Sequence, residues 1–124
     1  MQNLKSLESF TVGYRLALDV YRLTLRRPLA RHFGLADQIR RAAISIPANV
    51  AEGYALGTSP QLVRHLRIAL GSTAELGVHL DLATDLELVK PDDVANHRHS
   101  CTRLTGLLIG LLKRLGAQVP GQSS

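Results

Sequence analysis

The chain has 124 residues, 45% of them hydrophobic, which is the length of one domain with apolar side chains enough for one core. Aromatic residues make up only 4%, with no Trp, which excludes an aromatic core and favours helices packed through Leu and Ala. The formal net charge of +5 is too modest to mark a nucleic-acid binder by itself, although all but three of the fifteen cations are arginine.

Apolar positions recur at three and four from Val12 onward. Leu16, Val20 and Leu23, flanked by Tyr14, Ala17 and Tyr21, define a first helix from Val12 to about Arg26, stopped by Pro28. Arg26, Arg27, Arg31 and His32 make the following loop cationic, and Gly34 punctuates it. A second helix is expected over about Leu35 to Tyr54, burying Leu35, Ile39, Ala42, Ala43, Ile46, Val50 and Tyr54. Pro47 falls inside it. A proline there offers no donor to the Ala43 carbonyl and clashes with it, at about 3 kcal/mol unless the helix bends. A kink between Ala43 and Pro47 is therefore predicted, with Ala42, Ala43, Ala48 and Ala51 small enough for a neighbour to support the bent segment.

Gly57, Thr58, Ser59 and Pro60 read as a turn into a third helix, with Ser59 as the cap and Pro60 at the first helical position. This helix covers about Pro60 to Thr84, and Leu62, Leu66, Ala69, Leu70, Thr73, Leu76, Leu80 and Ala83 mark its buried side. A fourth opens at Pro91 with Asp92 and Asp93 in its first turn and closes with Lys113 and Arg114 before Gly116, charges that suit both ends of the helix dipole. Residues 1–116 then form a single four-helix-bundle domain. The aperiodic AQVPGQSS, 117–124, reads as a flexible tail. Short connections favour antiparallel neighbours, so the expected fold is all-α, an up-down-up-down antiparallel four-helix bundle with helix 2 kinked near Pro47.

No Gly-rich phosphate loop, nucleophile elbow or paired-His zinc helix occurs, so no catalytic residue, cofactor or metal site is expected. His97, His99 and Cys101 supply ligating atoms, yet on a helix only His97 and Cys101 share a face. Gly106 and Gly110, four apart in an apolar run, permit another helix to approach closely, first of all within the subunit. Along helix 2, Gln38, Arg41, Ser45, Asn49 and Glu52 form a polar ridge that is either solvated or a hydrogen-bonded contact between subunits. In the second case Glu52, set among Ile46, Val50, Ala51 and Tyr54, needs an Arg partner. Candidate contacts to RNA or DNA phosphates are Arg26, Arg27, Arg31, Arg64, Arg67, Lys113 and Arg114, which assembly would multiply into a useful field.

A lone Cys101 rules out an internal disulfide, and MQNLKSLESF lacks the charged-then-apolar run of a secretory signal; a cytoplasmic protein is the expectation. The longest strongly apolar run, Leu104 to Leu112, falls short of the roughly 20 residues that span a membrane, so no membrane association is expected.

The stretch FGLADQIRRAAISIPANVAEGYALGTS from Phe33 to Ser59, then LRIALGSTAEL from Leu66 to Leu76, with LALDVYRLT from Leu16 to Thr24 upstream, resembles the 23S rRNA intervening-sequence protein family of four-helix bundle proteins. Helix 4 is similar only in pattern. The resemblance implies a cytoplasmic bacterial bundle that assembles into a ring, a homopentamer, encoded in some species within insertions of large-subunit ribosomal RNA genes. Distantly similar accessory proteins of diversity-generating retroelements form basic pentameric rings that bind a reverse transcriptase and nucleic acid, an analogy of fold. The family pattern is intact at Arg40, Arg41, Pro47, Asn49, Glu52 and Gly53; with Gln38, Ser45 and Ser59 these are the candidate interface or motif positions. It departs at Leu56, usually Arg, at Gln61, usually Glu, and at Phe10, where helix 1 usually has Trp. The expected function is that of a non-enzymatic, self-assembling subunit, a ring-forming scaffold or interaction module whose partner is itself; RNA or DNA binding is the alternative.

Overall fold

A computed structural model describes residues 4–121. Four helices account for nearly all of them: α1 over Leu4–Thr24, α2 over Phe33–Leu56, α3 over Ser59–Asp85 and α4 over Pro91–Arg114, with one 3-10 turn at Leu29–Arg31. Among the described residues there is no strand. The chain is the all-α four-helix bundle that its aliphatic periodicity predicts.

Helix α1 packs against α2 and α4, and α3 packs against the same two, so α1 and α3 sit diagonally. Gly13 faces Ile46 and Pro47, while Thr24 meets Arg40 further along. Ser45 meets Ser72, and Asn49 meets His65. Glu8 pairs with Arg103, and Arg26 with Asp93. On each of these three seams the contacts advance along one helix as they retreat along the other. Between α3 and α4 the Arg98 guanidinium lies across Gly77, where no side chain blocks it, and pairs with Asp81 at 3.1 Å.

The core has two parts. Toward the α1–α2 and α3–α4 loops it gathers Leu16, Val20, Leu23, Leu29, Ile39, Ile46, Leu76, Leu80 and Leu104; toward the opposite end it gathers Val50, Leu66, Ala69, Leu108, Leu111 and Leu112. Each fully buried aliphatic side chain contributes roughly 1.5–3 kcal/mol relative to exposure, which is why these rows dictate the fold.

Helix α1 starts at Leu4, well before the expected Val12. Ser9 and Gly13 occupy the core-facing positions ahead of Leu16, and neither registers as apolar, although both are buried. Gly34 is not loop punctuation: α2 already begins at Phe33. The first amides of a helix have no intrahelical partner, so glycine is tolerated in that turn. The chain reverses earlier, over Pro28 to Arg31, where Leu29 is buried. Helix α2 remains helical through Pro47, and Gly57, at φ +81, closes it in the left-handed conformation that glycine adopts without penalty.

The cap of α3 is Thr58, not Ser59. Thr58 has the extended backbone of a cap, and its hydroxyl accepts from the Gln61 amide at 3.4 Å while donating to Gln61 Oε1 at 2.8 Å. Ala48 and Ala51 are exposed and do not receive a neighbouring helix of the same chain, unlike the buried Ala42 and Ala43. Gly106 and Gly110 likewise mediate no close approach within the subunit, since nothing lies within 4 Å of a Cβ built at either. Beyond Gly116, Val119 is buried and Ala117 packs beside it against the second part of the core. Residues 122–124 of the expected tail lie outside the described residues.

Candidate functional site

Helix α2 turns Ile39, Ala42, Ala43, Ile46 and Val50 into the core, and on its α3 side it presents Ser45 and Asn49, four residues apart and so stacked on one face. On α3 the inward row runs Leu62, His65, Ala69, Ser72, Leu76, and its two polar members are both buried. The polar groups meet across the seam. Asn49 Nδ2 donates to the Ser45 carbonyl at 2.8 Å and to the Ser45 hydroxyl at 3.0 Å, which leaves Asn49 Oδ1 as the acceptor facing His65 Nδ1 at 2.9 Å. The imidazole therefore carries a proton on Nδ1. The Ser72 hydroxyl donates to the Ser45 hydroxyl at 2.8 Å.

Glu52 reaches the same His65 nitrogen at 3.5 Å from a side chain that is 60% exposed. The shorter Asn49 contact takes the hydrogen bond, and Glu52 adds a screened attraction of small value. Among the described residues no buried side-chain nitrogen or oxygen lacks a partner. One turn along, Gly53 allows the two backbones together: a Cβ there would lie 3.0 Å from His65 Cβ and 3.1 Å from Leu62 Cδ1.

Four of the expected interface or motif residues, Ser45, Asn49, Glu52 and Gly53, thus meet on the α3 side of α2. Two others serve the α1 side. Pro47 packs beneath Gly13, and Arg40 donates from Nε to Thr24 Oγ1 at 2.7 Å and from Nη2 to the Thr24 carbonyl at 3.4 Å, with its guanidinium 4.9 Å from the Tyr21 ring centre. A cation there satisfies the carbonyl end of α1. Gln38 and Arg41 are exposed, Arg41 bonding Asp37 one turn away at 2.9 Å, and Ser59 is exposed at the start of α3. Within the chain Glu52 faces His65 of α3; the Arg partner was expected only in a contact between subunits, which one copy does not contain. His65 and Ser72 escaped the sequence reading; the available signal was two polar residues seven apart inside the Leu62, Ala69, Leu76 row.

The seven candidate nucleic-acid contacts fall into two groups. Arg26 and Arg27 line an open cleft of about 830 Å³ between the two loops, shared with Lys90, Asp85, Glu87 and Asp93, and Arg31 is exposed in the neighbouring 3-10 turn. Arg26 bonds Asp93 at 3.5 Å. Arg64, Arg67, Lys113 and Arg114 are exposed at the opposite end. The loop cleft is therefore mixed in sign.

On α4, burial holds the His97 pKa below its ordinary value, with Asp19 and Asp93 opposing, and burial pushes the Cys101 thiol up, opposed by Arg98. Among the described residues no group of three or more His, Cys, Asp or Glu is placed to hold a metal ion, and no helix is long and apolar enough to cross a membrane.

A third feature is apolar and exposed. Leu7, Tyr14, Leu18 and Tyr21 repeat at seven, four and three along the outside of α1, and Leu25 continues the row just past its end. Tyr14, Ala17, Leu18 and Tyr21 join Ile44 and Pro47 of α2 in lining a groove of about 220 Å³. Tyr14 and Tyr21, which sequence spacing placed beside the buried stripe, are thus rim residues.

Residues 5–110 match the model of the 23S rRNA-intervening sequence protein family. The chain belongs to this family. A protein of unknown function from the S23 ribosomal protein family of Bacteroides thetaiotaomicron VPI-5482 has a similar structure, with a TM-score of 0.83 and 22% identity over 89% of this chain and 99% of that one. At that identity the likeness concerns the fold. No curated protein matches the chain.

Proposed function

We propose that this member of the 23S rRNA-intervening sequence protein family is a non-enzymatic, self-assembling subunit, a cytoplasmic scaffold or interaction module that forms a homopentameric ring. The observation that carries this reading is the exposed α1 row of Leu7, Tyr14, Leu18, Tyr21 and Leu25, whose seven-residue rhythm is that of a helix with a partner to cover it. The seam chemistry supports the non-enzymatic part. Its hydroxyls are engaged with each other and with Asn49, and the His65 proton points to Asn49, so these groups clip α2 to α3 rather than offer a nucleophile to a base. Sedimentation or light scattering at micromolar concentration is expected to give a multiple, five, of the 13.5 kDa chain mass. A strict monomer would refute it.

Nucleic-acid binding is the second reading, favoured by Arg64, Arg67, Lys113 and Arg114, which share one end of the bundle and make no ion pair among the described residues. Repeated around an assembly, that end becomes a ring of cations. Binding to RNA or DNA should then weaken steeply as salt rises, and its absence even at low ionic strength discards this reading.

A further inference from the structure

We infer that the copies join head to tail, the exposed α1 row of one subunit seating on the outer face of α3 in the next, with the two helices running in the same direction. This rests on the self-assembly proposed above and specifies which surfaces meet. Helix α3 has its own exposed row, Ile68, Val78, Leu82 and Leu86, with Gly71 and Ala74 between them leaving the backbone accessible. Within the helices, Leu7 to Tyr21 and Ile68 to Leu82 are of equal length, about 21 Å at ~1.5 Å per residue. Because α1 and α3 are diagonal, one chain presents both rows at once to different neighbours. The rows differ in sequence, so the contact is heterologous, the kind that propagates and closes into rings.

Charge fixes the pairing and the direction. The α1 row is edged by Arg15 and Arg22, both exposed and neither in an ion pair among the described residues. The α3 row begins beside Arg64 and Arg67 and continues past Glu75 to Asp85; Glu75 bonds only His79 of its own helix, and Asp85 has no ion pair among the described residues. With Leu7 level with Ile68 and both helices pointing the same way, Arg15 comes level with Leu76, one residue from Glu75, and Arg22 level with Ala83, within a turn of Asp85. The opposite direction sets Arg26, which pairs with Asp93, level with Arg67 and Glu8, which pairs with Arg103, level with Asp85, and leaves Arg22 level with Gly71, away from Asp85. In the same-direction register Val78, the most exposed large hydrophobic residue of α3 at 64%, sits level with Ala17, over the groove between Tyr14, Leu18, Tyr21, Ile44 and Pro47.

Two single variants, each spoiling one face, test this. Leu18→Asp and Val78→Asp change exposed positions, so circular dichroism should match the wild type. Each alone is expected to be monomeric where the wild type assembles. Mixed at about 100 µM they should form a one-to-one pair and nothing larger, since the mixture retains one good α1 row and one good α3 face that meet only once. If Val78→Asp assembles like the wild type, or if the mixture stays monomeric, the seating is wrong. If the wild type is itself a monomer, the self-assembly reading falls first. Charge reversal supplies a second measurement: Arg22→Asp and Asp85→Arg should each weaken assembly about tenfold, and the double variant should recover most of it. Loss without recovery overturns the same-direction register.

Discussion

Toward α1, helix α2 offers Ile46 and Pro47, and α1 answers with Gly13, whose missing side chain lets the aliphatic surfaces close. Toward α3, the same helix offers Ser45, Asn49 and Gly53, and α3 answers with His65 and Ser72 joined by bonds of 2.8 to 2.9 Å. Both seams are tight, but for different reasons. Aliphatic packing is non-directional and is satisfied by many small slides of one helix along another. The Asn49–His65 and Ser45–Ser72 bonds are satisfied at one register, because a slip of a single turn would leave buried donors unpaired. At the level of Pro47 the α1 seam closes by aliphatic packing and the α3 seam by directional bonds; toward the loops the α1 seam has a directional contact of its own, Arg40 to Thr24.

The widest separation between the two seams should come from Ile46→Ala, which opens a cavity in the apolar one and should cost roughly 3 kcal/mol in urea unfolding. Asn49→Ala should cost less, about 2 kcal/mol, by stranding His65 Nδ1, while the Ser45 hydroxyl keeps its bond from Ser72. Combined with His65→Ala it should be less than additive by about 1 kcal/mol. Strict additivity would mean that the seam is not a network. The glycines sharpen the contrast at a smaller scale. A Cβ at Gly53 meets two atoms closely, His65 Cβ at 3.0 Å and Leu62 Cδ1 at 3.1 Å, the first of them fixed to the α3 backbone, whereas one at Gly13 meets only the Ile46 Cγ2 methyl closely, at 3.0 Å. Gly53→Ala should therefore lose about 1 kcal/mol net, while at Gly13 crowding and the ~1 kcal/mol of added helix propensity should nearly cancel. Equal melting temperatures for the two variants would remove the distinction.

The smallest effect concerns α4, outside both seams. Burial lowers the His97 pKa in the folded chain. Between its ordinary value, about 6.5, and that lower one, the unfolded chain binds a proton that the folded chain refuses. Stability then rises with pH through this window and is level above it. His97→Gln should flatten that slope, and identical urea midpoints against pH for both proteins would show that the imidazole titrates freely.

What was legible in the sequence follows the same divide. Ile39, Ile46, Leu66, Leu76 and Leu80 announce their burial by side-chain chemistry and spacing, so the four helices and the aliphatic core could be read from one chain. Ser9, Gly13, His65 and Ser72 are buried because of what another helix places opposite them, and hydrophobic periodicity has no access to that. The shift of the α3 cap by one residue has a similar origin. Thr58 and Ser59 carry equivalent hydroxyls, and only the extended backbone at Thr58 distinguishes them. In the candidate site, Asn49, Glu52 and Gly53 stood out, but the partner of Glu52 did not, because residues 52 and 65 meet only across the turn. The seven cations are two sets in space, as the antiparallel bundle expected from the short connections already divides them between its two ends.

Cys101 is the only thiol of the chain, 4% exposed and held protonated by its surroundings. An alkylating reagent has to wait for α4 to lift from the core before a thiolate can form, so the labelling rate reports how often that helix opens. Every molecule therefore carries a built-in clock at its centre, which a maleimide and a mass spectrometer can read without adding a probe.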